Sequence, residues 1–141
     1  MNRQSLLRLL LLVTPLISAA GQPRALAPDQ LNWQTDPKTG VSRANLLGAR
    51  NESGPFVQRV RLPPNFHPGL HRHDGDLNAT VLSGRIHFRF ADGPAQSLPA
   101  GSYLFIPAGL PHEEWADEQG AEFEARGMGP QSTELLPATK S

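Results

Sequence analysis

Fourteen prolines and thirteen glycines cut this 141-residue chain into short apolar segments, and that punctuation limits the fold more than any other feature. A proline inside a helix removes a backbone hydrogen bond and clashes with the preceding turn, so long helices are excluded. The segments between the breaks alternate with period two. In Phe56-Val57-Gln58-Arg59-Val60-Arg61-Leu62, Phe56, Val60 and Leu62 share one face while Val57, Arg59 and Arg61 share the other, the pattern of a half-buried strand. Pro63-Pro64 ends it. Ala79 to Leu82 reads as a strand and Ser83-Gly84 as a turn, after which Ile86, Phe88 and Phe90 alternate with Arg85, His87 and Arg89 in a second strand. Ala91-Asp92-Gly93-Pro94 is a further turn, and Tyr103 to Ile106 and Ala121 to Ala125 supply two later strands. No helical crossover is available to join parallel strands, so neighbours pair antiparallel and close into a small all-β barrel or jelly roll.

The first residues read differently. Arg3 and Arg8 flank the start of an apolar run, Leu9 to Ile17, followed by Ser18-Ala19-Ala20, the order of a secretory signal peptide. The run is too short to cross a bilayer and Pro15 interrupts it. The expected division is a signal peptide at 1–20, a Pro/Ala-rich leader at 21–31, a barrel at 32–136 and a tail at 137–141. Ala25-Leu26-Ala27 offers a second small-x-small cleavage site, after Ala27. Export to the periplasm or beyond follows from this reading, with no membrane attachment after cleavage.

Thirteen basic and thirteen acidic residues balance, with no basic stripe, so a nucleic-acid partner is not expected and a small-molecule ligand or substrate is. The absence of cysteine excludes disulfides, thiolate ligands and a cysteine nucleophile. Five histidines remain for chemistry. His71-Arg72-His73 puts two imidazoles on one side of an extended strand, a spacing that can chelate one metal ion and that surface strands also carry. His112 follows a strand and a Pro/Gly turn able to return it to the same interior. His87 alternates with arginines on a polar face, and His67 lies in a proline-rich approach, so neither is a candidate ligand. Tyr103 is the one candidate catalytic group, through its hydroxyl. Glu113 and Glu114 read as adjacent carboxylates on a loop, ordinarily solvated, and Trp33 and Trp115 as packing at the barrel ends.

The spacing of these residues resembles the two motifs of the cupin superfamily. His71, His73 and Gly84 fall at the intervals of its first motif, and Gly101, Pro107, Gly109 and His112 at those of its second. The resemblance spans roughly Trp33 to Leu136 and extends to a group of exported single-domain bacterial cupins. It implies a small antiparallel barrel with one divalent transition metal (Fe, Mn, Ni, Cu or Zn) at its centre, held by His71, His73 and His112, and leaves open a homodimer through the barrel edges. Three positions depart from the motifs. Asn65 stands for a glycine, tolerable because asparagine also visits left-handed backbone. Ala116 stands for a closing asparagine. Leu77 occupies the position of the family's ligand glutamate and cannot coordinate. Asp76 is the candidate replacement, reachable only if a bulge after Gly75 turns it to the interior face. Two functions follow from the resemblance: a metal-dependent small-molecule enzyme, dioxygenase-like or a lyase, or a non-catalytic binding barrel that has lost a ligand.

Overall fold

A computed structural model describes residues 23–137. The expected signal peptide at 1–20, the first two residues of the leader and residues 138–141 of the tail lie outside the described residues. Nine strands form one curled antiparallel sheet: β1 (Gln34–Thr35), β2 (Ser42–Leu47), β3 (Gly54–Leu62), β4 (His71–His73), β5 (Leu77–Phe90), β6 (Gln96–Pro99), β7 (Tyr103–Ile106), β8 (His112–Gly129) and β9 (Thr133–Leu135). The architecture is the all-β jelly roll that the punctuation predicts. The single helical element among the described residues is a 3-10 turn at Pro28–Gln30.

The two long strands explain how one sheet makes a barrel. Residues 77–84 of β5 pair with residues 121–127 of β8, and that half of β8 also pairs with β3, giving one leaf in the order β1-β2-β3-β8-β5-β7. Residues 86–90 of β5 pair with residues 112–116 of β8, which continue to β4 and β9, giving a second leaf in the order β9-β4-β8-β5-β6. Both strands bend at the seam. The register shifts on either side of Gly84, and Gly84 and Gly120 take φ of +68° and +69°. A Cβ at Gly84 would collide with the Gly120 carbonyl, so only glycine permits the two backbones to approach there.

This seam corrects one sequence expectation. Ser83-Gly84 is not a turn between two strands but the bend of a single 14-residue strand, because β8 bends beside it and keeps the ladder paired. Strands β1, β6 and β9 carry too few apolar residues to stand out from sequence, and in β2 Leu46 and Leu47 are adjacent rather than alternating.

The interior faces of the leaves meet in one core. Phe56, Val60 and Leu62 of β3 pack with Leu77, Ala79, Val81, Ile86 and Phe88 of β5 and with Phe123 and Ala125 of β8. Phe56 and Phe88 are only 1% exposed, and each such burial contributes about 2–3 kcal/mol. Asn65, in place of the motif glycine, has φ of +59°, the left-handed conformation expected of it.

Candidate metal centre

Strand β4 is three residues long and is held on both sides. His71 pairs with His112 at the start of β8, while His71, Arg72 and His73 pair with Leu135, Glu134 and Thr133 of β9. Because side chains alternate, His71 and His73 point inward and Arg72 outward, where it pairs with Glu134 at 2.8 Å. The cross-strand register then sets His112 directly opposite His71. Ring centroids lie 4.4 Å apart for His71 and His112, 4.9 Å for His73 and His112, and 5.1 Å for His71 and His73. One ring nitrogen from each of the three lies within 4.8 Å of the others, and all three residues are buried. The structure thus brings together the three histidines singled out in the sequence.

Backbone carbonyls orient two of the rings. His71 Nδ1 donates to the Gly69 carbonyl at 2.8 Å, and His112 Nδ1 to the Leu110 carbonyl at 2.9 Å, which turns both Nε2 atoms toward the centre. His73 Nδ1 accepts from Arg50 Nη2 at 2.8 Å and also lies 3.1 Å from Thr133 Oγ1. Burial, then the positive charge of Arg50 and the neighbouring His112 and His71, push the His73 pKa down to about 3. Burial likewise lowers that of His112, against the opposing Leu110 carbonyl and Glu114. Both rings are therefore neutral near pH 7, the form in which an imidazole can ligate.

The residue that sequence reasoning missed is Glu114. It lies on β8 rather than on a loop, two positions after His112, and so shares its face. Its Oε2 stands 3.2 Å from His71 Nε2 and 3.7 Å from His112 Nε2. Burial works against ionisation of this carboxyl, but the contact with His71 outweighs it and holds the pKa below the usual value. Burial also opposes protonation of His71, and there the contact and charge of Glu114 prevail, raising the ring's pKa. The signal was present in the sequence: His112-Glu113-Glu114 repeats the in-out-in parity of His71-Arg72-His73. Glu113, the outward member, is held by Arg89 at 2.6 and 2.7 Å.

Leu77 does face the interior, lining the same cavity as His71, His73 and Glu114. A carboxylate does stand beside the histidines, on another strand, at Glu114. Asp76 does not substitute for the glutamate absent at Leu77. Its Oδ1 accepts from the backbone N–H of Ala108 at 2.8 Å on the exposed side of the strand, and no bulge re-aims it. Asp74 is likewise occupied, capping Ser132. Tyr103 is also corrected. It shares parity with Phe105, but that is the outer face: Tyr103 is 61% exposed and hydrogen-bonds to Asn78, while Ile106 and Leu104 point inward. Trp33 lies under the Arg61 guanidinium at 3.8 Å, and Trp115 stacks with His87, away from the three histidines.

The donor set suits a cation. His112 Nε2 is completely buried with no hydrogen-bond partner, and Glu114 Oε2, equally buried, meets only His71 Nε2, at 3.2 Å. An unpartnered atom is unfavourable in a dry interior unless something satisfies it. Tetrahedral ligands at about 2.1 Å from a transition metal lie about 3.4 Å apart, and the separations of 3.2 and 3.7 Å bracket that figure. Three neutral imidazoles and one carboxylate suit iron, manganese, nickel, copper or zinc and leave room for water or substrate. That room is a cavity of about 120 Å³ lined by the apolar Val60, Leu62, Phe66 and Phe123 together with Arg43, Arg50 and Gln58.

Residues 22–126 match the family described as the ChrR cupin-like domain. No curated protein matches. Among solved structures, the chain is similar to the polyketide cyclase RemF from Streptomyces resistomycificus, at 17% identity and a TM-score of 0.67 over 82% of this chain and 88% of that one. It is similar also to the DMSP lyase DddQ from Ruegeria pomeroyi, at 16% identity and 0.65 over 79% of this chain and 64% of that one. A variant of oxalate decarboxylase from Bacillus subtilis aligns at 23% identity and 0.63, over 77% of this chain and 31% of that one. At these identities the likeness establishes the fold. With the match to a family covering most of its length, the chain belongs to the ChrR cupin-like domain family of the cupin superfamily.

Proposed function

We propose that this chain is an exported, metal-dependent enzyme acting on a small molecule, with one divalent transition metal held by His71, His73, His112 and Glu114. The observation that carries the reading is the convergence of three buried histidines, with His112 Nε2 unpartnered and 3.7 Å from the buried Glu114 Oε2. When bound, such an ion supplies Lewis acidity and makes coordinated water more acidic. The chain's own residues do the rest. The Gly69 and Leu110 carbonyls fix two rings so that their Nε2 atoms face inward. Glu114 lowers the charge of the loaded centre by one, as the glutamate missing at Leu77 does elsewhere in the family. Phe66, Phe123 and Leu62 make part of the cavity lining apolar. The similar folds of a cyclase, a lyase and a decarboxylase support an enzymatic role without choosing the reaction. Export rests on the charged and apolar pattern of residues 1–20.

The test is elemental analysis of protein purified from the exported fraction without chelator, with His112→Ala and Glu114→Ala prepared alongside. The reading predicts close to one equivalent of a transition metal, lost with His112→Ala and reduced with Glu114→Ala, in a chain whose mass shows the signal segment removed. A chain that carries no metal and accepts none on reconstitution is instead a binding barrel, and the enzymatic reading fails.

A further inference from the structure

Next to the cavity beside the histidines lies a groove of about 400 Å³, and three residues line both: Arg43, Arg50 and Gln58. The two arginines are unlike most others in the chain. Arg59, Arg61, Arg72, Arg89 and Arg126 all lie within 4.0 Å of a carboxylate, whereas among the described residues no acidic group comes that close to Arg43 or Arg50. Arg50 is half-buried, and its Nε is fully buried with no hydrogen-bond partner. Its Nη2 is directed at His73, which ties its position to the metal centre. Arg43 stands nearer the rim and is exposed. No acidic residue lines the outer groove, and Glu114 is the one carboxylate lining the inner cavity. In a chain whose acidic and basic residues balance, this is a local excess of positive charge at the entrance to a pocket.

A guanidinium held partly out of water without a counter-ion is unfavourable unless a ligand completes it, and its planar fork of donors matches a carboxylate. We propose that the ligand of this site is a small carboxylic acid, its carboxylate received by Arg50 and Arg43 at the junction of cavity and groove. The inference deepens the enzymatic reading above and rests on it for the role of the bound acid as substrate. The inner cavity, about 120 Å³, is smaller than the outer groove, about 400 Å³. Gln58, buried and donating to Asn45 Oδ1, lines both spaces. Ligation also favours the transfer of Arg50. An imidazole coordinated through Nε2 carries its proton on Nδ1, which can donate to Thr133 Oγ1 but cannot accept from Arg50. The guanidinium is then free for an incoming anion.

The test is calorimetric titration of the full exported chain with acetate, propionate and succinate, and with acetamide, propionamide and succinamide as uncharged counterparts. Each titration is run on metal-loaded protein and on protein kept metal-free with chelator. Binding of at least one acid, with its amide weaker by tenfold or more, is expected in the loaded protein. Arg50→Gln and Arg43→Gln should each weaken it by about tenfold, and Arg50→Lys, which keeps the charge but loses the fork, by an intermediate factor. Unfolding midpoints near that of the parent would show that these variants are folded. Equal binding of acids and amides, no binding of any acid, or acid binding untouched by the arginine substitutions would overturn the proposal. Acid binding that vanishes on metal removal but survives Arg50→Gln would assign the carboxylate to the ion and also overturn it. Acid binding that needs the arginines in a protein unable to hold metal would sustain the carboxylate site while the enzymatic reading fails.

Discussion

Acid should destabilise the metal-free protein well above the pH at which its carboxylates protonate. His73 has an ordinary pKa near 6.5 when unfolded and one of about 3 when folded, because burial and the adjacent Arg50 disfavour its charged form. Between those values the unfolded chain binds the extra proton, so stability is full above 6.5 and declines as pH falls toward 3. His112, also shifted down, adds to the decline. His71 is shifted up, so it opposes the decline near neutral pH and contributes no slope once protonated in both states, below about 5.5. Asp36, Asp74 and Glu114 have lowered values, and their unfolded counterparts, with ordinary values of 3.8, 3.8 and 4.5, protonate mainly below about pH 5. The interval from pH 7 to 4.5 is therefore dominated by the histidines. At about 1.36 kcal/mol per pH unit for each proton, His73 alone accounts for about 2.5 kcal/mol over that interval, after allowing for partial titration near 6.5. Urea unfolding in the presence of chelator, at half-unit steps of pH, measures the decline. His73→Asn keeps an acceptor for Arg50 but removes the titrating ring, and should lessen the slope by about that amount. A stability independent of pH between 7 and 4.5, or an unchanged slope in His73→Asn, would refute the description of His73 as a buried neutral ring.

Other consequences can be checked more briefly. Glu114→Gln should weaken zinc binding, measured by chelator competition, by at least the 10–100-fold typical of losing a supporting partner. Adding Leu77→Glu to that variant should recover part of the affinity, since Leu77 lines the same cavity; no recovery would mean that Leu77 does not face the ion. Gly84→Ala, which drives a Cβ into the Gly120 carbonyl at the seam, should lower stability by about 2 kcal/mol or more in urea unfolding. Tyr103→Phe, on the outer face, should leave metal content and carboxylate binding as in the parent; a loss of either would contradict its exposed position.

Much of this architecture is written in the chain's local chemistry. Alternation in Phe56 to Leu62 fixes β3, and the parity of His71 and His73 fixes which side of β4 faces inward. What sequence leaves open is long-range. The bend of β5 at Gly84 looks like a hairpin turn because a glycine after an apolar run signals either, and only the matching bend at Gly120 of β8 decides it. The site shows the same division. Spacing gathers the three histidines, but the fourth position depends on where β8 begins. Reading Glu113-Glu114 as loop conceals a carboxylate that the strand, starting at His112, turns inward. Asp76 appealed through nearness to Leu77 in the chain, yet it sits one position out of phase. Arg50, distant in sequence from every motif residue, gives no local sign of reaching His73.

The central claim, a metal held by three histidines and Glu114, is tested most directly by anomalous diffraction from crystals of the protein grown with zinc and measured on both sides of the zinc edge. The account predicts one strong peak at the barrel centre, bonded to Nε2 of His71, His73 and His112 and to Glu114 Oε2. A centre without a peak, or a peak there with Glu114 turned away, would contradict it.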